Sequence, residues 1–241
     1  MIFVEAVRRE SEGFAAAVSD LEASVPSCPG WTAADLVYHL GEVQYFWERV
    51  VSGPLVRYEE ARAVPDPERP PDDELVSWFR DGANRLVDTL AGVDPDLPCW
   101  NWSSVVPDTA AFVPRRMAHE ASVHRWDAQA AAGRPQLIDS ELAADGVDEF
   151  FFVHLPEEET SPPAPGKSVH LHRTDGPGEW LVRMEADSAS VSHDHAKGDA
   201  AVRAGASDLV LMLWRRVPPD AGEPFGDRAV LDSFLSWIDL T

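Results

Sequence analysis

Residues Met117 to Asp127, MAHEASVHRWD, read as one stretch of a helix that turns polar residues toward its apolar side. Glu120 and His124 are four residues apart, about 400° of helical turn, and so lie only about 40° from each other around the axis. Met117, Ala121 and Ala128 share that face, which is otherwise small and apolar and is expected to look into a helical interior. His119 lies five residues from His124 and points away from it. A carboxylate facing such an interior must be ion-paired, protonated or metal-bound. Gly133, with Pro135 beyond it, ends this helix at Ala132. At its start Asp108 or Thr109 can act as cap, although Pro114 then falls past the first turn and bends the helix.

Three more helices precede it. Val4, Val7, Phe14, Val18 and Leu21 recur at three- and four-residue steps, with a gap near Ser11. After the turn at Val25–Gly30, Thr32 and Asp35 have the spacing of a capping box, and Trp31 and Leu36 that of a hydrophobic staple. The stripe Leu36, Leu40, Val43, Trp47 and Val50 continues that helix, and His39 lies within it. Residues 52–71 read as a loop. A third helix is expected from Asp72 to Leu90, with Leu75, Phe79, Leu86 and Leu90 inward, and a short fifth helix from Glu141 to Phe152.

Beyond residue 155 the pattern changes. Pro156–Gly166 carries four prolines among acids and small residues and reads as a linker. Ser168–Arg173 and Trp180–Glu185 alternate as strands, Ala200–Arg203 is a third, Ser207 can cap a helix through Trp214, and a last helix runs from Ala229 to Ile238. The expected fold is α+β: a four-helix bundle over 1–155, a linker over 156–166 and a small α/β domain over 167–241.

The 241 residues are enough to bury a core without disulfides or a structural metal. Twenty basic against 42 acidic residues give a net charge of −22, which repels phosphate backbones and anionic headgroups, so neither nucleic acid nor a membrane surface is an expected partner. No apolar run has the length of a membrane helix, the N-terminus lacks a signal-peptide layout, and Cys28 and Cys99 form no framework. A soluble cytoplasmic protein is expected.

Glu120 and His124, joined by His39 from a second inward stripe, supply two imidazoles and one carboxylate inside a bundle. Three protein ligands with open positions make a catalytic rather than a closed metal site. The same residues also suit a bland reading: Glu-x-x-x-His pairs form surface ion pairs, and a lone histidine on an apolar stripe is often a hydrogen-bonded core residue.

Cys28-Pro-Gly-Trp-Thr32, Asp35-Leu-Val-Tyr-His39-Leu40 and Glu120-x-x-x-His124-Arg-Trp-Asp127 together resemble the mycothiol-dependent maleylpyruvate isomerase family, part of the wider DinB/YfiT-like group of four-helix metalloenzymes. Gly205–Leu209, Leu213–Arg216 and Gly226-Asp227 resemble its small C-terminal domain, so the likeness spans nearly the whole chain. The resemblance implies a divalent metal, usually zinc, on His39, Glu120 and His124, and a low-molecular-weight thiol such as mycothiol at the open position. A thiol of pKa about 8.5 becomes a thiolate on a divalent cation. In the isomerases that thiolate adds to a cis double bond, the bond rotates, and elimination leaves the trans product; other members of the wider group conjugate the thiol to electrophiles. Arg216 resembles the family position that binds an anionic substrate, its neighbour Arg215 fits the register equally, and a helix-end arginine complementing the dipole fits as well. Mycothiol belongs to actinobacteria, and a basic complement with only Lys167 and Lys197 as lysines suits such GC-rich genomes.

The expected activity is thus a metal- and thiol-dependent isomerase or S-transferase acting on an electrophilic, anionic small molecule. The alternative is a non-catalytic metal or small-molecule binding module on the same scaffold. Arg125 and Asp127 are expected to form ion pairs that orient the helix. His170-x-His172 and His193-x-His195 each put two imidazoles on one strand face and read as exposed histidines able to take up nickel or zinc adventitiously. Phosphate-loop, dinucleotide, nucleophile-elbow and zinc-protease motifs are absent from the sequence.

Overall fold

The computed structural model describes residues 2–155 and 160–237, and the chain divides into two compact units. The first runs to Trp102 and resumes over Val106–Gln136; the second takes Ser103–Val105 and everything from Leu137. The sequence places the division at the proline-rich stretch after residue 155, but the packing places it after Gln136, ahead of the fifth predicted helix. Tertiary hydrogen bonds tie that helix to the sheet, as described below. Residues 156–159 of the expected linker lie outside the described residues.

The first unit contains α1 (Ile2–Ala17), α2 (Ala33–Ser52), the short α3 (Tyr58–Arg62), α4 (Asp72–Gly92) and α5 (Phe112–Ala131). The four long helices form the expected bundle, with α1 and α2 each packed on both α4 and α5. Its core is built from Phe14, Leu36, Leu40, Leu75 and Phe79. α2 starts as predicted: the Thr32 amide donates to Asp35 Oδ2 at 2.9 Å and the Asp35 amide returns a bond to Thr32 Oγ1 at 3.3 Å. α1 ends at Ala17, so Val18 and Leu21 reach the core from the following turn. The gap at Ser11 has a polar cause: Gln44 Nε2 donates to Ser11 Oγ at 2.9 Å, and Gln44 is buried where the stripe predicted Val43.

Two local expectations change. The loop 52–71 contains α3, held at its start by Glu60, which accepts from the amides of Val56 and Arg57. α5 begins at Phe112, not at a cap on Asp108 or Thr109, which puts Pro114 in the first turn, where a missing N–H costs nothing.

The second unit contains α6 (Ser140–Glu149) running into a π-helical turn at Phe150–His154, then β1 (Ser168–Arg173), β2 (Glu179–Met184), β3 (Ala189–Ser192), β4 (Ala200–Ala204), α7 (Ala206–Leu213), β5 (Glu223–Gly226) and α8 (Arg228–Trp237). The sheet order is β3-β2-β1-β4-β5, parallel only between β1 and β4. α6 joins this unit through Trp180 Nε1, which donates to Asp148 at 2.7 Å, and through Arg173, which pairs with Glu141 at 2.6 Å. α7 is capped by Gly205 and not by Ser207, whose hydroxyl instead accepts the amide of Ile138 at 3.0 Å. Ile138 is thereby anchored ahead of α6. Ile238, expected in the last helix, lies outside the described residues. No helix among the described residues is long and apolar enough to cross a membrane.

Candidate metal centre

α5 is buried on almost every side. Its alanines let neighbouring helices approach closely, and Arg116, His119, His124, Arg125 and Asp127 are all buried on it. Low side-chain volume at Ala118, Ala121 and Ala128 leaves the polar residues as the groups that fill the space around it, each with a partner.

His39 from α2 meets Glu120 and His124 from α5. Glu120 Oε1 lies 3.1 Å from His124 Nε2 and 3.6 Å from His39 Nε2, and the two imidazole rings stand 5.1 Å apart at 86°. All three donor atoms fall within 4.8 Å of one another. A tetrahedral cation with bonds of about 2.0–2.1 Å requires donors about 3.3 Å apart, so these residues fit a zinc-type ion with little movement. The His39 side chain is 32% exposed while that of His124 is 9% exposed, so the group is approachable from the His39 side.

Behind the donors lies a supporting layer. His124 Nδ1 donates to Asp127 Oδ2 at 2.9 Å, and Ser27 Oγ from the turn before α2 donates to Asp127 Oδ1 at 2.6 Å. Asp127 is fully buried. This carboxylate–imidazole pair fixes the tautomer and ring orientation that leave Nε2 facing Glu120. Arg116 Nη2 donates to Glu120 Oε2 at 2.8 Å, which holds the carboxylate with Oε1 toward the histidines. Trp31 sets its ring edge against His39, 5.0 Å between centroids.

The electrostatics follow from these contacts. Burial pushes the Glu120 carboxyl up, but the hydrogen bond from His124, the nearby His39 imidazole and the Arg116 charge outweigh it and hold the group well below the usual carboxylate range. Burial pushes His124 down, yet its bonds to Asp127 and Glu120 raise it to about 9. With only protein groups around it, His124 therefore carries a proton at neutral pH, and a cation must displace that proton to bind Nε2.

Asp127 is closer to the site than its expected role as a helix-orienting ion pair. Arg125 does have that role, its Nε bonding Glu10 on α1 and its Nη1 donating to Gln129 at 2.7 Å. Arg116 and Ser27 are functional partners outside the motifs visible in the sequence. Arg116 is signalled by its four-residue spacing to Glu120, whereas nothing local marks Ser27, which reaches Asp127 across a hundred residues of chain. Arg216 belongs to the second unit, in the turn after α7, where its Nη1 donates to the Trp214 carbonyl at 2.8 Å. Arg215 takes a left-handed φ of 58° and spans to α8, donating to the carbonyls of Leu235 and Ser236. Of the two arginines, Arg215 is thus the one that complements a helix C-terminus.

Residues 4–129 match the family model described as the mycothiol maleylpyruvate isomerase N-terminal domain, and residues 141–233 match the MDMPI C-terminal domain. No curated protein matches the chain. Among solved structures, the crystal structure of the mycothiol-dependent maleylpyruvate isomerase aligns with a TM-score of 0.56 at 12% identity, covering 92% of this chain and 91% of that one. A histidine-to-alanine mutant of that isomerase aligns over the same shares with a TM-score of 0.55 and 12% identity. These likenesses show a shared fold, and the match over 4–129 shows more: this chain belongs to the mycothiol maleylpyruvate isomerase family.

Proposed function

We propose that this protein is a metal- and thiol-dependent enzyme of the isomerase or S-transferase class, with His39, Glu120 and His124 holding one divalent cation, zinc by ligand type. The observation that carries the reading is the donor spacing, 3.1 and 3.6 Å about one carboxylate oxygen. A cation bound there would hold a thiol as its thiolate at neutral pH. Family membership supports a mycothiol-type thiol and an electrophile of the maleylpyruvate kind.

The chain's own residues position and tune. Asp127 keeps one His124 proton on Nδ1, so Nε2 is the nitrogen whose lone pair becomes the donor once a cation displaces its proton. Arg116 engages one Glu120 oxygen and leaves the other as donor. The part-buried Asp127–Ser27 bond joins the turn before α2 to α5, so the two helices that would supply the ligands are held in register. Arg216 is the cation proposed to bind a substrate carboxylate.

The test uses untagged protein. Metal content by mass spectrometry should fall by one ion per chain in His124→Ala with the helical circular dichroism unchanged. Cobalt-loaded wild type should gain a thiolate-to-cobalt band on addition of a small thiol, and His124→Ala should not. Metal content unaffected by the substitution would reduce the three residues to a core hydrogen-bond cluster. Arg216→Ala should slow anionic electrophiles while sparing neutral ones; equal effects on both would remove Arg216 from substrate binding.

A further inference from the structure

A second cluster lies wholly within the sheet unit. His170 and His172 alternate onto one face of β1, and the antiparallel register sets His172 directly opposite Glu179 of β2. The chain then leaves β3, and His193 Nδ1 donates to the Glu179 carbonyl at 2.9 Å, which carries the pairing on past Ser192 and brings His195 over the same carboxylate. Glu179 Oε2 lies 2.5 Å from His170 Nε2, and Oε1 lies 2.7 Å from His172 Nδ1 and 2.9 Å from His195 Nδ1. One donor atom from each of the four residues falls within a 4.8 Å span, the same closeness that unites His39, Glu120 and His124.

The three rings form a nearly equilateral triangle, with centroids 5.9, 6.0 and 6.2 Å apart and planes inclined at 68° to 83°. Three imidazoles on one tetrahedral cation stand about 5.2 Å apart by the same bond lengths, so a shift of well under 1 Å per side chain completes the cage. By sequence alone these histidines form two exposed pairs, 170/172 and 193/195. The structure separates His193, which serves the backbone, from His195, and brings in Glu179, a carboxylate that no local pattern ties to these histidines.

We infer that His170, His172, Glu179 and His195 form a second divalent-cation site, of the zinc class, that pins the segment after β3 onto β1 and β2. Three nitrogens and one oxygen suit first-row ions such as zinc over calcium or magnesium. Four protein ligands close the coordination sphere, which marks the site as structural, in contrast to the three-ligand group on α2 and α5. β3 is only four residues long, and a cation at its end would hold the outer part of the sheet where backbone pairing is short.

The test is a zinc titration of the untagged, chelator-stripped full chain against a chromophoric chelator. Wild type should bind two ions and His172→Ala/His195→Ala one, with affinity at the altered site falling by more than the 10–100-fold or so that loss of an outer hydrogen-bond partner costs. His195→Ala alone should also lose the ion; its side chain is 78% exposed, so its removal opens no cavity. Zinc should slow amide exchange over residues 168–195 in wild type and in His124→Ala, but not in the double variant. If the histidine substitutions leave the ion count and the exchange unchanged, the four residues are a hydrogen-bonded network and the inference fails. Loss of an ion in His124→Ala but not here would overturn this site alone; the reverse would overturn the proposed enzyme site alone.

Discussion

Asp127→Asn isolates the charge behind His124 with little change of shape. Asp127 is fully buried and accepts two bonds, from His124 Nδ1 at 2.9 Å and from Ser27 Oγ at 2.6 Å. The asparagine offers one oxygen and one amide nitrogen to the same two partners. If the oxygen faces His124, the imidazole keeps its proton on Nδ1 and Nε2 stays available as a donor. The nitrogen then meets Ser27 Oγ, and a hydroxyl can accept as well as donate, so this orientation satisfies every group. If the nitrogen faces His124, the tautomer inverts and Nε2 is protonated, which blocks coordination. Ser27 can pair with either end of the amide, so it anchors the side chain, and the tautomer is decided at Nε2, where a bound cation needs the lone pair. Removal of an outer partner costs about 10–100-fold in metal affinity, or about 1.4–2.7 kcal/mol. Asp127→Asn should fall near the lower bound, because only the charge is lost. Adding Ser27→Ala removes that anchor, leaves the amide with one partner, and should bring the loss toward the upper bound. A zinc competition titration at pH 8 measures both, with melting followed by circular dichroism to show that the bundle persists. An unchanged affinity in a folded Asp127→Asn protein would refute the argument, as would a double variant no weaker than the single one.

Other expectations test the packing and the caps. Gly41→Ala sets helix propensity against space: alanine gains about 1 kcal/mol in a helix interior, but its Cβ would lie 2.6 Å from Trp78 Cη2 and nearer still to Cζ3. Overpacking costs about 1–3 kcal/mol, so urea denaturation should show a net loss, and a gain would mean that Trp78 moves freely. Asp35 is held down to about 2, foremost by the Thr32 amide and then by Arg69. A depressed carboxyl contributes stability above its ordinary pKa and loses it as pH falls through the range from 3.8 toward 2. Asp35→Asn should therefore flatten the acid limb of the stability curve and cost about 1 kcal/mol at neutral pH, as a lost cap does; an acid limb identical to wild type would contradict this. Cys99 is buried, and burial with the Asp108 charge pushes its thiol up to about 11. Iodoacetamide at pH 8 should leave it unmodified in folded protein and label it once urea unfolds the chain, as intact mass will show.

The contrast between what could be read from the residues and what could not is one of range along the chain. The Thr32–Asp35 box and the Glu120–His124 face are set by spacings of three and four residues, and each stands in the structure as the helical period dictates. His39 was placed because its own stripe is regular, although its meeting with Glu120 is a tertiary event. Where a second segment supplies the partner, local reading fails in a consistent way. Ser207 has the look of a cap, but the Ile138 amide claims its hydroxyl. The proline-rich stretch has the look of a boundary, yet Glu141 and Asp148 tie α6 to the sheet. β3 and β5 carry no hydrophobic alternation because they are the two edges, and Pro224 is tolerated there since an edge leaves half its backbone groups unpaired. The histidines of the sheet are the sharpest instance. No pattern within 168–195 says that residues 170, 172 and 195 share a carboxylate, because that depends on the antiparallel register that sets His172 against Glu179. A shift of one residue in that pairing would turn Glu179 to the other face and dissolve the cluster. The two groups of proposed ligands thus have different physical origins: the bundle group is written largely into one helix and is open at the His39 side, while the sheet group exists only once three segments have paired, which suits a role in holding those segments together.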